Sequence, residues 1–300
     1  MLHVLIHEIL PIFSLLALGF LLGRMRTVTN AEAATLNRVA FLVLQPALIF
    51  PLISGLNLAE IRFDAIAIYG ACQAVLFTSA FIIARRILRC ETPEAWLLAM
   101  ATIFINTLLY IWPISFLIYG EAAALPITSI VAWDTAVSFP FFIVTTDLIV
   151  NRQASALASL RRVTSNPVLI AIALGATTNL LSIGMPEPLL TAMGFAGAAA
   201  APLTLLALGV ILSGHALFPS RAIAVISMLK LAVFPALVWA ALQFGERPPT
   251  WNTLLVLTAA GPSGAMAFAL AVLHGVRTDK IAPVIVWTSA LSLLSLAWLA

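Results

Sequence analysis

Charge is what this sequence has least of. Only 9% of its 300 residues are Asp, Glu, Lys or Arg and 62% are hydrophobic, whereas an average soluble domain is roughly 25% charged. Twelve acids and fifteen bases are too few to clothe a water-facing exterior. That excludes a soluble globular protein and makes lipid the solvent for most of the surface. Cysteine is scarcer still: Cys72 and Cys90 exclude a disulfide framework, and no Cys or His spacing of a metal site accompanies them. Both are expected as free thiols. Catalytic signatures are missing too, with no GxSxG, HExxH or P-loop, so neither an enzyme nor ATP use is expected and no cofactor is called for. The net charge of +3 points toward nucleic acid only superficially, because Lys and Arg fall in short clusters between apolar runs and form no stripe. Nor is a secretory leader expected: the chain opens with uncharged and acidic residues around Glu8, so its first apolar segment is expected to be retained.

Long apolar runs are what the chain has in abundance. A membrane span needs about 20 mostly apolar residues, and such runs cover 4–23, 35–55, 65–85, 95–118 and 123–149, then 167–184, 189–213, 220–244, 251–274 and 281–299. The expected fold class is all-α, a polytopic membrane protein of ten transmembrane helices. Residues 1–150 make a first five-helix repeat, 151–166 a cytoplasmic link and 167–300 a second, inverted five-helix repeat, since an odd number of crossings reverses the sense of the second half.

The bases sort by loop as this division requires. Arg24, Arg26, Arg38, Arg85, Arg86, Arg89, Arg152, Arg161, Arg162, Arg221, Arg277 and Lys280 fall on one side, and only Arg62 and Arg247 on the other. Cytoplasmic loops are the ones enriched in Lys and Arg, so both termini are expected outside the cytoplasm, in an inner (plasma) membrane. The outer loops are short and carry Glu60, Glu121, Glu187 and Glu246. With no sizeable soluble domain, function is expected within the bilayer.

Two features there carry chemistry. The first is a pair of helix breaks. Span 4 contains Phe104-Ile105-Asn106-Thr107 and then Pro113, and span 9 contains Gly261-Pro262-Ser263-Gly264. Proline removes a backbone donor and clashes with the preceding turn, and glycine lowers helix preference further. Interrupted helices at matching places of inverted halves mark transporter sites, because their ends present amides to anions and carbonyls to cations; ordinary kinking is the plainer alternative. Pro46 in span 2 with Pro202 in span 7 repeats the correspondence. The second feature is intramembrane charge: Asp134 near the middle of span 5 and Lys230 near the middle of span 8. A Lys or Asp at a helix centre costs roughly 2.5–3.5 kcal/mol on insertion scales and normally faces a partner or an aqueous cavity. Lys230 is read as a counter-charge for an anion and Asp134 as a proton or cation site, with a structural ion pair between them as the alternative. Asn106, Thr107, Ser263, Gln45 and Ser138 offer neutral ligands through amide and hydroxyl groups. Gly19 and Gly23 in span 1, and Gly194 and Gly197 in span 7, suit close helix approach. His215 and His274 sit near the cytoplasmic ends.

At these residues the sequence resembles the auxin efflux carrier family, particularly its bacterial malonate and malate permeases. The likeness runs through GlyArgMet at 23–25, LeuGlnProAlaLeuIlePhe at 44–50, PheIleAsnThr at 104–107 leading to Pro113, and AsnProValLeuIle at 166–170. It continues with AlaProLeuThrLeuLeu at 201–206, the Lys230 to Pro235 stretch, and Gly261-Pro262-Ser263. The resemblance implies two inverted five-helix repeats arranged as a panel and a transport domain, with helices 4 and 9 crossing at their breaks and the substrate beside the crossing. Family members often carry glycines where this chain has Leu108 and Ile111, and an asparagine where Met266 stands, which implies a less polar cavity.

The expected function is therefore a secondary transporter, a permease for a small organic anion of the mono- or dicarboxylate class. The substrate-binding candidates are Asn106, Thr107, Pro113, Gly261, Pro262, Ser263, Lys230 and Gln45, and Asp134 is the candidate for a coupling Na+ or H+. The partners are that anion and the lipid bilayer, with homodimerisation left open. The alternatives are a sodium-coupled carrier of larger amphipathic anions, like the bile-acid carriers, and a receptor that binds such a ligand without moving it.

Overall fold

The computed structural model describes residues 2–151, 161, 163–215, 218 and 220–299. Among them every regular element is helical: α1 Leu2–Arg24, α2 Asn30–Ser54, α3 Phe63–Ile87, α4 Thr92–Ile103, α5 Thr107–Val150, α6 Pro167–Leu180, α7 Glu187–Ser213, α8 Arg221–Leu242, α9 Pro249–Ala259, α10 Met266–Leu273 and α11 Ile281–Leu299. Seven of the described helices (α1, α2, α3, α5, α7, α8 and α11) are long and apolar enough to cross a membrane, and α6 is apolar but shorter. The chain is an all-helical polytopic membrane protein. Most of the link expected over 151–166, with Arg152 and Arg162, lies outside the described residues.

At 44 residues, α5 is twice the length that one crossing needs. It doubles back at Gly120, whose φ of +61° is a conformation that glycine adopts without steric cost. The arm ending at Tyr119 then packs against the arm beginning at Ala124.

Proline also shapes the helices from within. Immediately before Pro11, Pro46, Pro113, Pro140 and Pro235, the preceding residue donates its amide five residues back instead of four: Leu10 to Leu5, Gln45 to Ala40, Trp112 to Thr107, Phe139 to Asp134 and Phe234 to Leu229. A proline ring collides with the carbonyl four residues earlier and leaves it without a donor; widening the turn relieves the collision and re-pairs the ladder. Asp134 and Lys230 both lie in such widened turns.

The helices gather into two groups. In the first, α1 packs along the second half of α7, and α2 packs on α6 and the first half of α7. Small residues set this spacing. A Cβ on Gly19 would overlap the Leu206 carbonyl, and one on Gly209 the Leu16 carbonyl, so backbone meets backbone. Asn179 on α6 donates to the carbonyls of Ser54 and Leu56, both at 2.7 Å, closing the end of α2. The second group comprises α3, α4, α5 and α8–α11 around the main apolar core. Polar ties stand at its two ends. Lys280, just before α11, reaches Glu94 (3.1 Å) and the Cys90 thiol (3.2 Å) at the start of α4. At the opposite end Arg247 donates to Asp64 at 2.6 Å. Cys72 and Cys90 are both free and buried.

Candidate functional site

Helix α4 stops at Ile103 and α5 begins at Thr107; α9 stops at Ala259 and α10 begins at Met266. The two gaps meet. Ile105 and Ser263 form an antiparallel bridge, the Asn106 amide donates to the Pro262 carbonyl (3.1 Å) and the Gly264 amide to the Phe104 carbonyl (2.8 Å). Each interrupted backbone thus supplies the hydrogen bonds that the other lost, which is what buried backbone in lipid requires. Side chains complete the join. Ser263 Oγ donates to the Ala101 carbonyl at 2.6 Å, and the Ser263 amide to Thr288 Oγ1 on α11 at 3.2 Å. Glycine eases this approach: a Cβ on Gly261 would displace the tip of the Ile111 side chain, and one on Gly264 would press on the Ile105 carbonyl.

Beside the crossing, between the two helix groups, lies a cavity of ≈ 130 Å³. The first group contributes Gln45, Val168, Thr204 and Leu208, and the second contributes Phe104 to Leu109, Asp134, Phe139 and Gly264 to Met266. It is smaller than the roughly 300–1,000 Å³ of a drug-sized site, and most of its wall is apolar. The amino ends of both α5 and α10 border it. The first amides of a helix have no partner within that helix and carry the positive end of its dipole, so two such ends around one small space favour an anion.

The polar side chains on this wall are unspent. Thr107 Oγ1 and Thr204 Oγ1 are buried without a partner, and the Asn106 and Gln45 amides make no hydrogen bond to any described residue. Buried polar groups are normally paired, so Gln45, Thr107 and Thr204 have capacity for a ligand, as does the half-buried Asn106 beside them. Asp134, 3% exposed, accepts from Gln73 Nε2 (2.7 Å) and Ser138 Oγ (3.3 Å) through one oxygen, while its other oxygen has no partner.

Gln45, Asn106, Thr107 and Asp134 therefore come together on the cavity, and Gly261, Pro262 and Ser263 form the crossing. Pro113 lies farther along α5, off the cavity wall. Lys230 is also off the wall: fully buried, it donates to the Ala259 carbonyl at 2.7 Å and stands over the Phe234 ring. Asp134 and Lys230 form no direct ion pair.

Two residues escaped sequence reasoning. Thr204 was visible only as part of a family motif. Gln73, 3% exposed on α3, donates to the Ile103 carbonyl (3.4 Å) as well as to Asp134, and accepts from Trp133 Nε1 (2.8 Å). A glutamine in the middle of an apolar span was its one signal.

The sequence profile of the family described as membrane transport protein matches residues 4–299. The chain belongs to this family, that of the auxin efflux carriers. Within curated relatives of this membrane transport family, a Rhizobium meliloti protein named "Putative malonate transporter" is 29% identical over 293 residues, which cover 95% of this chain and 91% of that one. An "Uncharacterized transporter" of Methanothermobacter thermautotrophicus is 28% identical over 296 residues, 96% of this chain and 95% of that one.

Proposed function

We propose that this member of the family is a secondary carrier for a small organic anion, a mono- or dicarboxylate such as malonate or malate, working by alternating access. The observation that carries this reading is the small, mostly apolar cavity bordered by two helix amino ends and lined by Asn106 and by the buried, unpartnered hydroxyls of Thr107 and Thr204. Amides of the first turns of α5 and α10 receive the substrate carboxylate, and the apolar wall strengthens those few contacts by excluding water. The name of the Rhizobium relative supports the substrate class.

Asp134 shares the cavity with the anion. Two negative groups in so small a space repel unless a cation is also present, so uptake is coupled to a Na+ or H+ held at Asp134. The cavity separates the two helix groups, and movement of the group that holds the crossing against the other would open it to each side in turn.

The same reading counts ten crossings, with α4 and the first arm of α5 making one, the second arm of α5 another, and α9 with α10 a third. Five fall in residues 1–150 and five in 167–300, the halves related as inverted repeats, with both termini outside the cytoplasm of the inner membrane. Support comes from two helix-end contacts. Gln73 caps the carbonyl that ends α4 and Lys230 the one that ends α9, at chain separations of 30 and 29 residues.

The deciding experiment is uptake of labelled malonate, malate, acetate and taurocholate into proteoliposomes under imposed Na+ or H+ gradients. Gradient-driven accumulation of a small carboxylate is expected. Transport of taurocholate alone, or ligand binding with no uptake, overturns the reading. For topology, Glu60→Cys and Arg277→Cys should label from opposite faces, and labelling from one face refutes ten crossings.

A further inference from the structure

The two helix-end caps differ in charge. Both broken helices, α4 and α9, end inside the protein with their carbonyls pointing at the crossing, and both terminal carbonyls are met by a buried side chain from a long neighbouring helix. A helix carboxyl end carries roughly half a negative charge, so each is a place for a cation. At the end of α9 that place is filled from within the chain: Lys230 Nζ lies 2.7 Å from the Ala259 carbonyl and over the face of Phe234, two contacts that favour an ammonium. At the end of α4 the corresponding group is the neutral Gln73 amide, which passes its second contact to Asp134. The Asp134 side therefore holds a carboxylate oxygen without a donor and a helix carboxyl end met only by a neutral amide; the Lys230 charge acts on Asp134 through the buried space between them but makes no contact with it. Tyr69, one turn before Gln73, adds a buried hydroxyl that has no partner and no positive charge.

We propose that Lys230 is a built-in cation, a positioning residue that permanently occupies one of two equivalent helix-end places, so that the carrier takes up a single mobile cation per cycle, on the Gln73–Asp134 side. This rests on the coupled-carrier reading above and specifies its stoichiometry. Two reciprocal substitutions follow. Lys230→Met empties the filled place and should create a second cation requirement. Gln73→Lys fills the empty place, putting an ammonium within reach of Asp134, and should remove the only requirement there is.

The readout that needs no substrate is the melting temperature of the detergent-solubilised protein, titrated with NaCl against choline chloride and separately with pH. The wild type is expected to show one saturable cation-dependent rise, Lys230→Met a steeper rise extending over two binding steps, and Gln73→Lys none. In proteoliposomes, labelled malonate uptake by Gln73→Lys should lose its dependence on the imposed gradient, while the wild type and Lys230→Arg keep theirs.

If the melting curves behave as stated but malonate is not carried, the substrate reading fails and the cation assignment stands. If malonate is carried while Lys230→Met and Gln73→Lys both retain the wild-type cation dependence, the assignment fails alone. Should Lys230→Met not fold, Gln73→Lys decides the matter: a cation response unchanged from wild type overturns the proposal.

Discussion

Ser263→Ala isolates the strength of the crossing. The wild-type hydroxyl is 1% exposed and donates to the Ala101 carbonyl across 2.6 Å. That carbonyl lies in the last turn of α4, and the amide that would have closed its helical bond, Ile105, has left the helix for the extended gap. Ser263 is thus its replacement donor. Losing a hydrogen bond costs about 0.5–1.5 kcal/mol, and leaving the acceptor buried and unpaired raises this to about 1–3. Within membranes the unfolded reference also finds partners, and measured couplings average about 0.6 with a ceiling near 1.7 kcal/mol. The orphaned carbonyl places Ser263→Ala near that ceiling, at about 1–2 kcal/mol. Thr258→Val is the matched control. Its hydroxyl is equally buried, but it donates to the Leu254 carbonyl of its own helix, which already accepts a backbone bond, so its loss should cost less than about 0.6 kcal/mol. The assay is thermal unfolding in detergent followed by size exclusion, with both variants and wild type side by side. Equal stability of Ser263→Ala and wild type, or equal damage from Thr258→Val, would refute the claim that the crossing is held by replacing lost helix bonds.

Asn106→Ala should raise the concentration for half-maximal malonate uptake roughly 10–100-fold, the range expected when a buried hydrogen bond to a charged group is lost at about 1.5–3 kcal/mol; radiolabel uptake at graded concentrations measures it. Gly209→Val should separate α1 from α7 and abolish folded protein on size exclusion, whereas the same change at Gly194, where an added Cβ meets nothing within 4 Å, should be tolerated. Burial works against the charge on Lys280, but its contacts with Cys90 and Glu94 outweigh this and raise its pKa above the ordinary value. Its stabilising contribution is therefore complete below about pH 10 and is lost as pH rises through the higher folded value; Lys280→Met should remove that alkaline loss in pH-dependent melting curves. Burial also pushes the Cys90 thiol up, so maleimide should label it only after denaturation, as a mass shift will show.

The break in span 9 was legible because it is written in local chemistry, Gly261-Pro262-Ser263-Gly264 being a poor helix former whatever surrounds it; in span 4 the Pro113 that drew attention only widens a turn of α5, and the break itself falls earlier, at 104–106. The apolar runs were legible for the same reason, their solvent being encoded in composition. What local chemistry does not encode is the partner. Lys230 could be seen as an expensive charge, but its acceptor, the Ala259 carbonyl, exists as an acceptor only because α9 stops there. Gln73 acquires meaning only when α3 lies against both Ile103 and Asp134. Ser263 looked like a ligand group and is instead engaged with Ala101. Prolines 11 and 140 drew no notice, and Pro235 only as the end of a family motif, because a widened turn leaves the apolar pattern on either side almost unchanged.

The crossing also sets a timetable for making the protein. Ser263 and Ala101 are 162 residues apart in the chain, and at roughly 5–20 residues per second the ribosome needs about 8–30 s to travel from one to the other. Throughout that interval the gap at 104–106 is already synthesised while its stitching backbone does not yet exist. The nascent chain must keep those groups wet, or shielded by the insertion machinery, until α9 and α10 arrive. A truncation before Gly261 is therefore expected to be recognised as unfinished and degraded, however well its helices insert.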